Sequence, residues 1–310
     1  MNLDDKWFVI VNPTAGHGKS RKRWPTISKM LSDAGIEHDF EFTQRRGHAA
    51  LLARNSIREG YRNIIAVGGD GTSNEVVNGI MKQKVVPSSD IKYCVIAVGT
   101  GNDWIKTHKI PKNTQKVIEI IKRGKTTLQD IGIVNYNSNG HLGRRFFANV
   151  AGMSYDAFVV KASNERRNFV TNQLFYLYLV FECLFRFKTK LAKVIFDDQQ
   201  VSGSFFTINI GVCKYSGGGM QFVPHANYDD GKFALTLAKD ATKMDLILNT
   251  WKLYKGTIGD HPKIHTHLAK SIRVESAEAA PTLLEVDGEY IGETPVEFSL
   301  IEKALRVIIP

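Results

Sequence analysis

The sequence predicts an α/β domain with a parallel sheet, followed by a mostly antiparallel β-sandwich domain. Three observations carry this. At 310 residues the chain is longer than one hydrophobic core ordinarily supports. Its first third alternates short apolar runs with segments of helical period, the pattern of a parallel sheet covered on both faces. From about Leu128 onward, short strands joined by turns replace that alternation.

The elements follow in order. Lys6–Asn12 (KWFVIVN) reads as a buried strand that stops at an Asn-Pro turn. Trp24–Ala34 has helical spacing, with Gly35 as its cap. Glu37–Thr43 alternates as a strand, His48–Glu59 is helical and Gly60 ends it. Asn63–Val67 is a third strand, Ser73–Lys84 a helix, Tyr93–Val98 a strand and Thr114–Arg123 a helix closed by Gly124. In the second half, Phe146–Val150, Leu191–Phe196, Phe205–Val212, Phe233–Ala238, Ser271–Glu275 and Thr282–Val286 read as strands, with a hairpin tip at 197–200. Helices are expected at Asn172–Phe187 and Lys243–Lys255. The closing strand, Ala304–Ile309, is free to return to the first domain, because termini often lie close together. The expected division is 1–134 plus a returning strand at about 298–310, and 135–297.

Composition narrows the function classes. Hydrophobic residues are 43% and charged residues 23%, ordinary for a soluble globular chain. The start, MNLDDKWFVIVNP, does not resemble a signal peptide. No apolar run reaches the roughly eighteen residues of a membrane span, so a cytoplasmic protein is expected. Cys94, Cys183 and Cys213 are isolated in apolar segments and read as buried thiols. The net charge of +10 fits nucleic acid, an anionic membrane surface or polyanionic small molecules. No concentrated basic run or base-reading motif accompanies it, so no nucleic-acid partner is expected.

Three glycine-rich turns end three strands: Asn12–Gly18 (NPTAGHG), Gly68–Thr72 (GGDGT) and Gly99–Asp103 (GTGND). Ligands of open parallel sheets bind beyond the carboxyl ends of the strands, so all three turns should face one crevice. The first is not a Walker A loop, since Pro13 stands where that motif needs glycine. In the second, Thr72 and Glu75 have capping-box spacing and should open a helix whose free N–H groups face an anion. Asp70 would repel bare phosphate there. A divalent cation between them removes the conflict, because Mg²⁺ takes a few carboxylates, phosphate oxygens and waters. Asp70 is therefore read as a metal holder.

GGDGTSNEVVNG resembles the signature of the diacylglycerol kinase catalytic domain, in the bacterial lipid kinase family that also resembles sphingosine kinases. NPTAGHGK, VGTGNDW, FANVAGMSYDA (147–157), YSGGGMQFVPHANYDDGKF (215–233) and LEVDGE (284–289) are similar to the family's other motifs in the same order. Trp104, Ala97 and Ser154 depart from it. The resemblance implies an ATP-binding α/β domain, a lipid-substrate domain, and ATP- and Mg²⁺-dependent phosphorylation of a lipid hydroxyl at a membrane surface. It places nucleotide at Asn12, Pro13, Gly16, Thr43, Gly68, Gly69, Gly71, Thr72, Glu75, Thr100 and Asn102. Asp70 and Asp287 would shape the metal and phosphate site, with Glu289 as the base. Asp230, with Asn227 and Lys232, resembles a structural Mg²⁺ site of some members. Read without the family, Asp287-Gly288-Glu289 is a hairpin turn.

Phe169–Phe187 is dense in aromatics and flanked by Arg166, Arg167, Arg186, Lys188 and Lys190. Stripes at this spacing usually face a core; the alternative is a helix at a lipid mouth, its cations meeting headgroups. His261, His265 and His267 cluster without cysteines at ligand spacing, so a polar loop is expected rather than zinc. NAD kinase relatives also carry GGDGT, and an inactive nucleotide- or lipid-binding module is the third reading. Neither the lipid nor a homodimer is encoded in these patterns.

Overall fold

The computed structural model describes residues 3–99, 101–166 and 173–310. The first domain runs β1 (Trp7–Val11), α1 (Lys19–Asp33), β2 (His38–Phe42), α2 (His48–Glu59), β3 (Asn63–Gly68), α3 (Asp70–Lys82), β4 (Lys92–Ala97), α4 (Trp104–Thr107) and α5 (Thr114–Arg123). β1 pairs parallel with β2 and β3, and β3 with β4, giving the order β4-β3-β1-β2. Every residue of β1 and β3 is buried, which is why these strands read as unbroken apolar runs rather than alternations. β2, at the edge, alternates and is partly exposed.

The second domain contains β5 (Thr126–Ser138), β6 (His141–Phe147), β7 (Val150–Ser154), α6 (Tyr155–Glu165), α7 (Gln173–Arg186), β8 (Lys190–Phe196) and β9 (Gln199–Gly211). It continues with β10 (Tyr215–Ser216), β11 (Met220–Gln221), β12 (Phe233–Lys239), α8 (Lys243–Lys255), β13 (Ile264–Ala269), β14 (Ile272–Ser276), β15 (Leu283–Val286) and β16 (Glu289–Ile308). Its antiparallel pairings close a ring, β9-β7-β15-β16-β14-β8-β9. Two long strands serve both sides of it. β9 pairs with β8 as far as Phe205 and with β7 and β12 beyond it. β16 pairs with β15 at Glu289–Glu293, shifts register, then pairs with β14 and β5. Phe147, Phe205, Phe233, Phe298, Ile208, Ile210 and Val274 fill the interior.

β16 also joins the domains: Arg306 and Val307 pair parallel with Lys92 and Tyr93 of β4. One continuous sheet therefore runs through both domains, and the relative placement of the two halves is fixed by backbone hydrogen bonds as well as by side chains.

Several elements differ from the sequence reading. α1 begins at Lys19, directly after Gly18, whose φ of 80° makes the left-handed turn into it. α3 begins at Asp70 with Gly69 as N-cap, so Thr72 and Glu75 form no capping box. Phe146–Val150 is not one strand: the chain bends at Ala148–Asn149 between β6 and β7. His265 and His267 lie in β13, an edge strand rather than a loop; alternating burial there is weak because β13 is mostly exposed on both faces. β5, α6 and most of β16 had no strong local signal. The aromatic segment is α7, in part: Leu179, Cys183, Leu184 and Phe187 pack with Tyr155 and Phe206, while Phe181 and Phe185 are exposed. Arg167 and 168–172 lie outside the described residues. Cys94, Cys183 and Cys213 are buried and free.

Candidate active site

The glycine turns after β1, β3 and β4 converge at one end of the first domain. Asn12 donates to Thr72 Oγ1 at 2.9 Å and accepts from the Thr14 amide and hydroxyl, so the first turn is tied to α3. Pro13 lies in that turn, and a Cβ on Gly16 (φ 60°) would meet Val98 at 3.4 Å. Thr43 directly follows β2 and donates its amide to the Val11 carbonyl. A Cβ on Gly68 would strike Thr72 Oγ1 at 2.5 Å, one on Gly99 would lie 3.4 Å from Gly69 Cα, and one on Gly101 3.0 Å from Asp70 Oδ2. Gly68 is thus required by its own turn into α3, and Gly99 and Gly101 mark how near the turn after β4 comes to the turn after β3. Gly71 faces open space at the start of α3. Thr100 lies outside the described residues.

Asp70 opens α3, and its Oδ1 accepts from the amides of Asp103 and Trp104 at 2.9 and 3.3 Å. Burial and the neighbouring Asp103 charge raise the Asp70 pKa above its ordinary value. Asp103 is itself buried, held by Lys106 at 2.6 Å and by the Gly218 amide of the second domain at 2.7 Å. Asn102 has φ 53° and donates to the Gly99 carbonyl at 2.8 Å, while its Oδ1 is buried without a hydrogen-bond partner.

The second domain contributes the turn between β15 and β16. Asp287 and Gly288 have φ of 49° and 82°, the two left-handed residues of a tight hairpin. The hairpin reading and the functional reading of Asp287-Gly288-Glu289 are therefore compatible. The Asp287 carboxylate is taken up by donors: Oδ2 accepts from Asn74 Nδ2 at 2.5 Å and the Ala148 amide at 3.3 Å. Oδ1 accepts from the amides of Asn149 and Val150 at 3.2 and 3.1 Å. Burial outweighs these hydrogen bonds and pushes its pKa up to about 6. Glu289 Oε2 accepts from Arg145 at 2.9 Å and pairs with Arg46 at 3.1 Å.

Asn74 joins the two halves. It lies four residues, about 6 Å along the helix axis, from Asp70 on α3. Its amide nitrogen holds Asp287 and its oxygen accepts from Arg145 at 2.5 Å, the same guanidinium that holds Glu289. Asn78, one turn further, clamps the Phe146 backbone through both its amide groups. Sequence reasoning missed Asn74, Asn78, Asp103 and Arg145 as individual residues. The available signal was two asparagines four apart among apolar positions, since asparagine is a poor helix former without a partner. Glu75 faces elsewhere: its carboxylate accepts from the amides of Gly47 and Ala49 at 2.7 and 3.1 Å, capping α2.

The donor set of the crevice fits a nucleotide with a divalent cation. Two adjacent carboxylates, an unpartnered Asn102 oxygen and the uncapped first turn of α3 call for a cation and an anion together. The Asp230 site fits less well. Asp230, Asn227 and Lys232 are exposed and the Asp230 carboxylate accepts from the Lys232 amide at 3.1 Å. No group of three or more His, Cys, Asp or Glu among the described residues is arranged to hold a metal. Two hollows of ≈ 290 and ≈ 410 Å³ lie on the second domain, and neither is lined by a glycine-turn residue.

An α/β domain and a ring-closed β domain facing one glycine-lined crevice define a two-domain kinase architecture. Residues 6–134 match the diacylglycerol kinase catalytic domain, and residues 149–309 match the YegS C-terminal NAD kinase beta sandwich-like domain. Diacylglycerol kinase of Staphylococcus saprophyticus is 31% identical over 302 residues, covering 97% of this chain and 94% of that protein. Diacylglycerol kinase of Staphylococcus carnosus is 30% identical with the same coverage. A crystal structure of a diacylglycerol kinase from Bacillus anthracis superposes with TM-score 0.72 at 22% identity, over 99% of this chain and 97% of that one. Yeast NADH kinase shares the fold at TM-score 0.52 and 11% identity, over 98% and 83%. The chain belongs to the diacylglycerol kinase family, and it is a lipid kinase. No helix among the described residues is long and apolar enough to cross a membrane.

Proposed function

We propose that the protein transfers the terminal phosphoryl group of ATP to the free hydroxyl of diacylglycerol. One observation carries this reading: α3 holds Asp70 at its first residue and, through Asn74, the Arg145–Glu289 pair one turn away. Phosphoryl transfer asks for charge neutralisation, alignment and a proton acceptor, and little covalent work.

The glycine turns and the first-turn amides of α3 bind and orient the triphosphate. Asp70, with Asp103 adding negative charge beside it, would hold Mg²⁺, and the ion would supply charge neutralisation on the phosphates. Arg145 and Arg46 fix Glu289 through Oε2. Glu289 then accepts the hydroxyl proton as the alkoxide oxygen forms a bond to the γ-phosphorus. The bond from that phosphorus to the β,γ-bridging oxygen breaks, and ADP leaves. Asp287 is a positioning residue in this scheme. With its oxygens spent on four donors, it fastens the β15–β16 turn onto α3 and β7 instead of meeting the metal.

The test is transfer of label from [γ-³²P]ATP to diacylglycerol, monoacylglycerol, a sphingoid base, phosphatidylglycerol, a prenyl alcohol and NAD, each offered alone. Label should appear in diacylglycerol and vanish with Asp70→Ala. Label in NAD and in no lipid would overturn the reading.

A further inference from the structure

We infer that α8, with the exposed end of α7, is the surface on which the protein settles onto an anionic lipid bilayer. Met244, Ile247, Leu248, Trp251 and Tyr254 recur at helical spacing on one side of α8 and are 58%, 36%, 63%, 51% and 56% exposed. No residue of α8 is fully buried. A soluble helix normally turns such a stripe inward. Here the stripe faces solvent, while Leu246 packs inward against the cluster around Leu179 and Cys183. Lys243 donates to the Phe185 carbonyl at 2.7 Å, which places exposed Phe185 of α7 next to the start of α8. The stripe on α8 is itself more than a scatter of single surface residues, and exposed Phe185 adjoins the turn where it begins.

The charges around that face are basic. Lys252 and Lys255 lie over the Trp251 ring, at 5.9 and 4.9 Å from its centroid. Lys188 is exposed just beyond α7. Of the acidic residues nearby, Asp245 is paired with Lys263 and the Thr242 cap and Glu182 with Arg166 and Arg186, while Asp240 and Asp260 are exposed beyond the two ends of α8. An aromatic belt among lysines suits a headgroup layer with acyl chains beneath it. A second copy fits worse, because a two-fold contact through this face would bring its lysines together. The position also suits delivery. A Cβ on Gly256, the cap of α8, would lie 2.9 Å from the Gln221 side chain in β11. The same β10–β11 hairpin gives its Gly218 amide to Asp103 in the crevice. The surface stays within one hairpin of the place where the hydroxyl must arrive, which rests on the lipid reading above.

The test uses the full chain with phosphatidylcholine vesicles, with and without phosphatidylglycerol. Trp7, Trp24 and Trp104 are buried, so a blue shift of emission on binding reports Trp251. Leu248→Ser with Tyr254→Ser should lower vesicle affinity about tenfold or more, by removing inserted apolar groups. Lys252→Gln with Lys255→Gln should weaken binding only to vesicles containing phosphatidylglycerol. Both double variants should phosphorylate diacylglycerol in detergent micelles at the wild-type rate. Unchanged vesicle binding in the serine variant, or no wild-type binding at all, overturns the inference. So does a dimer in sedimentation that the serine variant splits without loss of vesicle binding. Vesicle binding through α8 by a protein that labels no lipid would instead leave this surface standing and remove the kinase reading.

Discussion

The two sides of the crevice are made of different materials. The first domain offers mainly backbone: glycine turns, the open first turn of α3 and two carboxylates, all at strand exits. The second offers side chains held by other side chains: Glu289 by Arg145 and Arg46, Asp287 by Asn74. Phosphate oxygens present the same charge and acceptors at every turnover, so amides fixed by a sheet can be preset for them. In the proposed reaction a proton acceptor must instead be placed against a hydroxyl carried by a flexible lipid, and Glu289 is held for that by side chains from both domains. The difference teaches that binding and proton transfer can be damaged separately.

The largest expected effect falls on the first side. Asp70→Asn keeps volume and removes the charge proposed to hold the cation, and should lower kcat/KM about 10³-fold, in the range seen for lost electrostatic stabilisation. Burial and Asp103 already raise the Asp70 pKa, so the neutral side chain should not harm folding. Glu289→Gln should lower kcat about 10²-fold, the usual share of a general base. Steady-state kinetics against ATP separate the two. The Asp70 variant should also bind ATP–Mg²⁺ more weakly, whereas the Glu289 variant should keep the ATP KM of the parent. Equal changes in that KM would erase the division drawn between the two sides.

What the sequence disclosed follows the same division. Backbone features are written locally: a strand, a glycine turn and a helix occupy one stretch, so Gly68–Thr72 could be placed at a strand exit without a structure. Strand β1 was legible because it is buried throughout. The side-chain network was not, because its hydrogen bonds join residues 71, 144 and 213 positions apart. Asn74 and Asn78 look like ordinary polar positions until β6 and the β15–β16 turn are laid against them. The length of β16 was hidden for another reason: the chain changes partners at Glu293, so no single alternation persists.

A smaller effect should appear in stability against pH. Burial raises Asp287 and Asp156 from an ordinary value of 3.8 to about 6. Between about pH 4 and 6 the folded protein then holds more protons at these sites than the unfolded chain, so stability falls as pH rises through that window. His108, whose burial lowers its pKa to about 4, acts in the opposite sense across the same window, as do His225 and His267, and Asp39, lowered by Lys6 and Tyr61, does so below it. The share of Asp156 is read by comparison: between pH 4.5 and 6.5 the parent should lose a few degrees of thermal midpoint relative to the Asp156→Asn variant, the shift expected of about 1 kcal/mol or more. Asp156→Asn should flatten this slope. An unchanged slope in that variant would show that Asp156 stays ionised across the window.

The smallest effect tests Glu75, which motif reasoning places at the nucleotide and the fold places elsewhere. Its oxygens accept from the amides of Gly47 and Ala49, at the start of α2, which has no side-chain cap of its own. A carboxylate there answers both the free N–H groups and the positive end of the helix. Glu75→Gln retains one acceptor oxygen and loses the charge, so it should cost about 1 kcal/mol, the usual scale of a cap. The loss should be readable as a lower urea midpoint at unchanged slope. Since the crevice side of α3 is carried by Asp70 and Asn74, the ATP KM should not move. A raised ATP KM at unaltered stability would return Glu75 to the nucleotide and leave α2 with a cap made of something else.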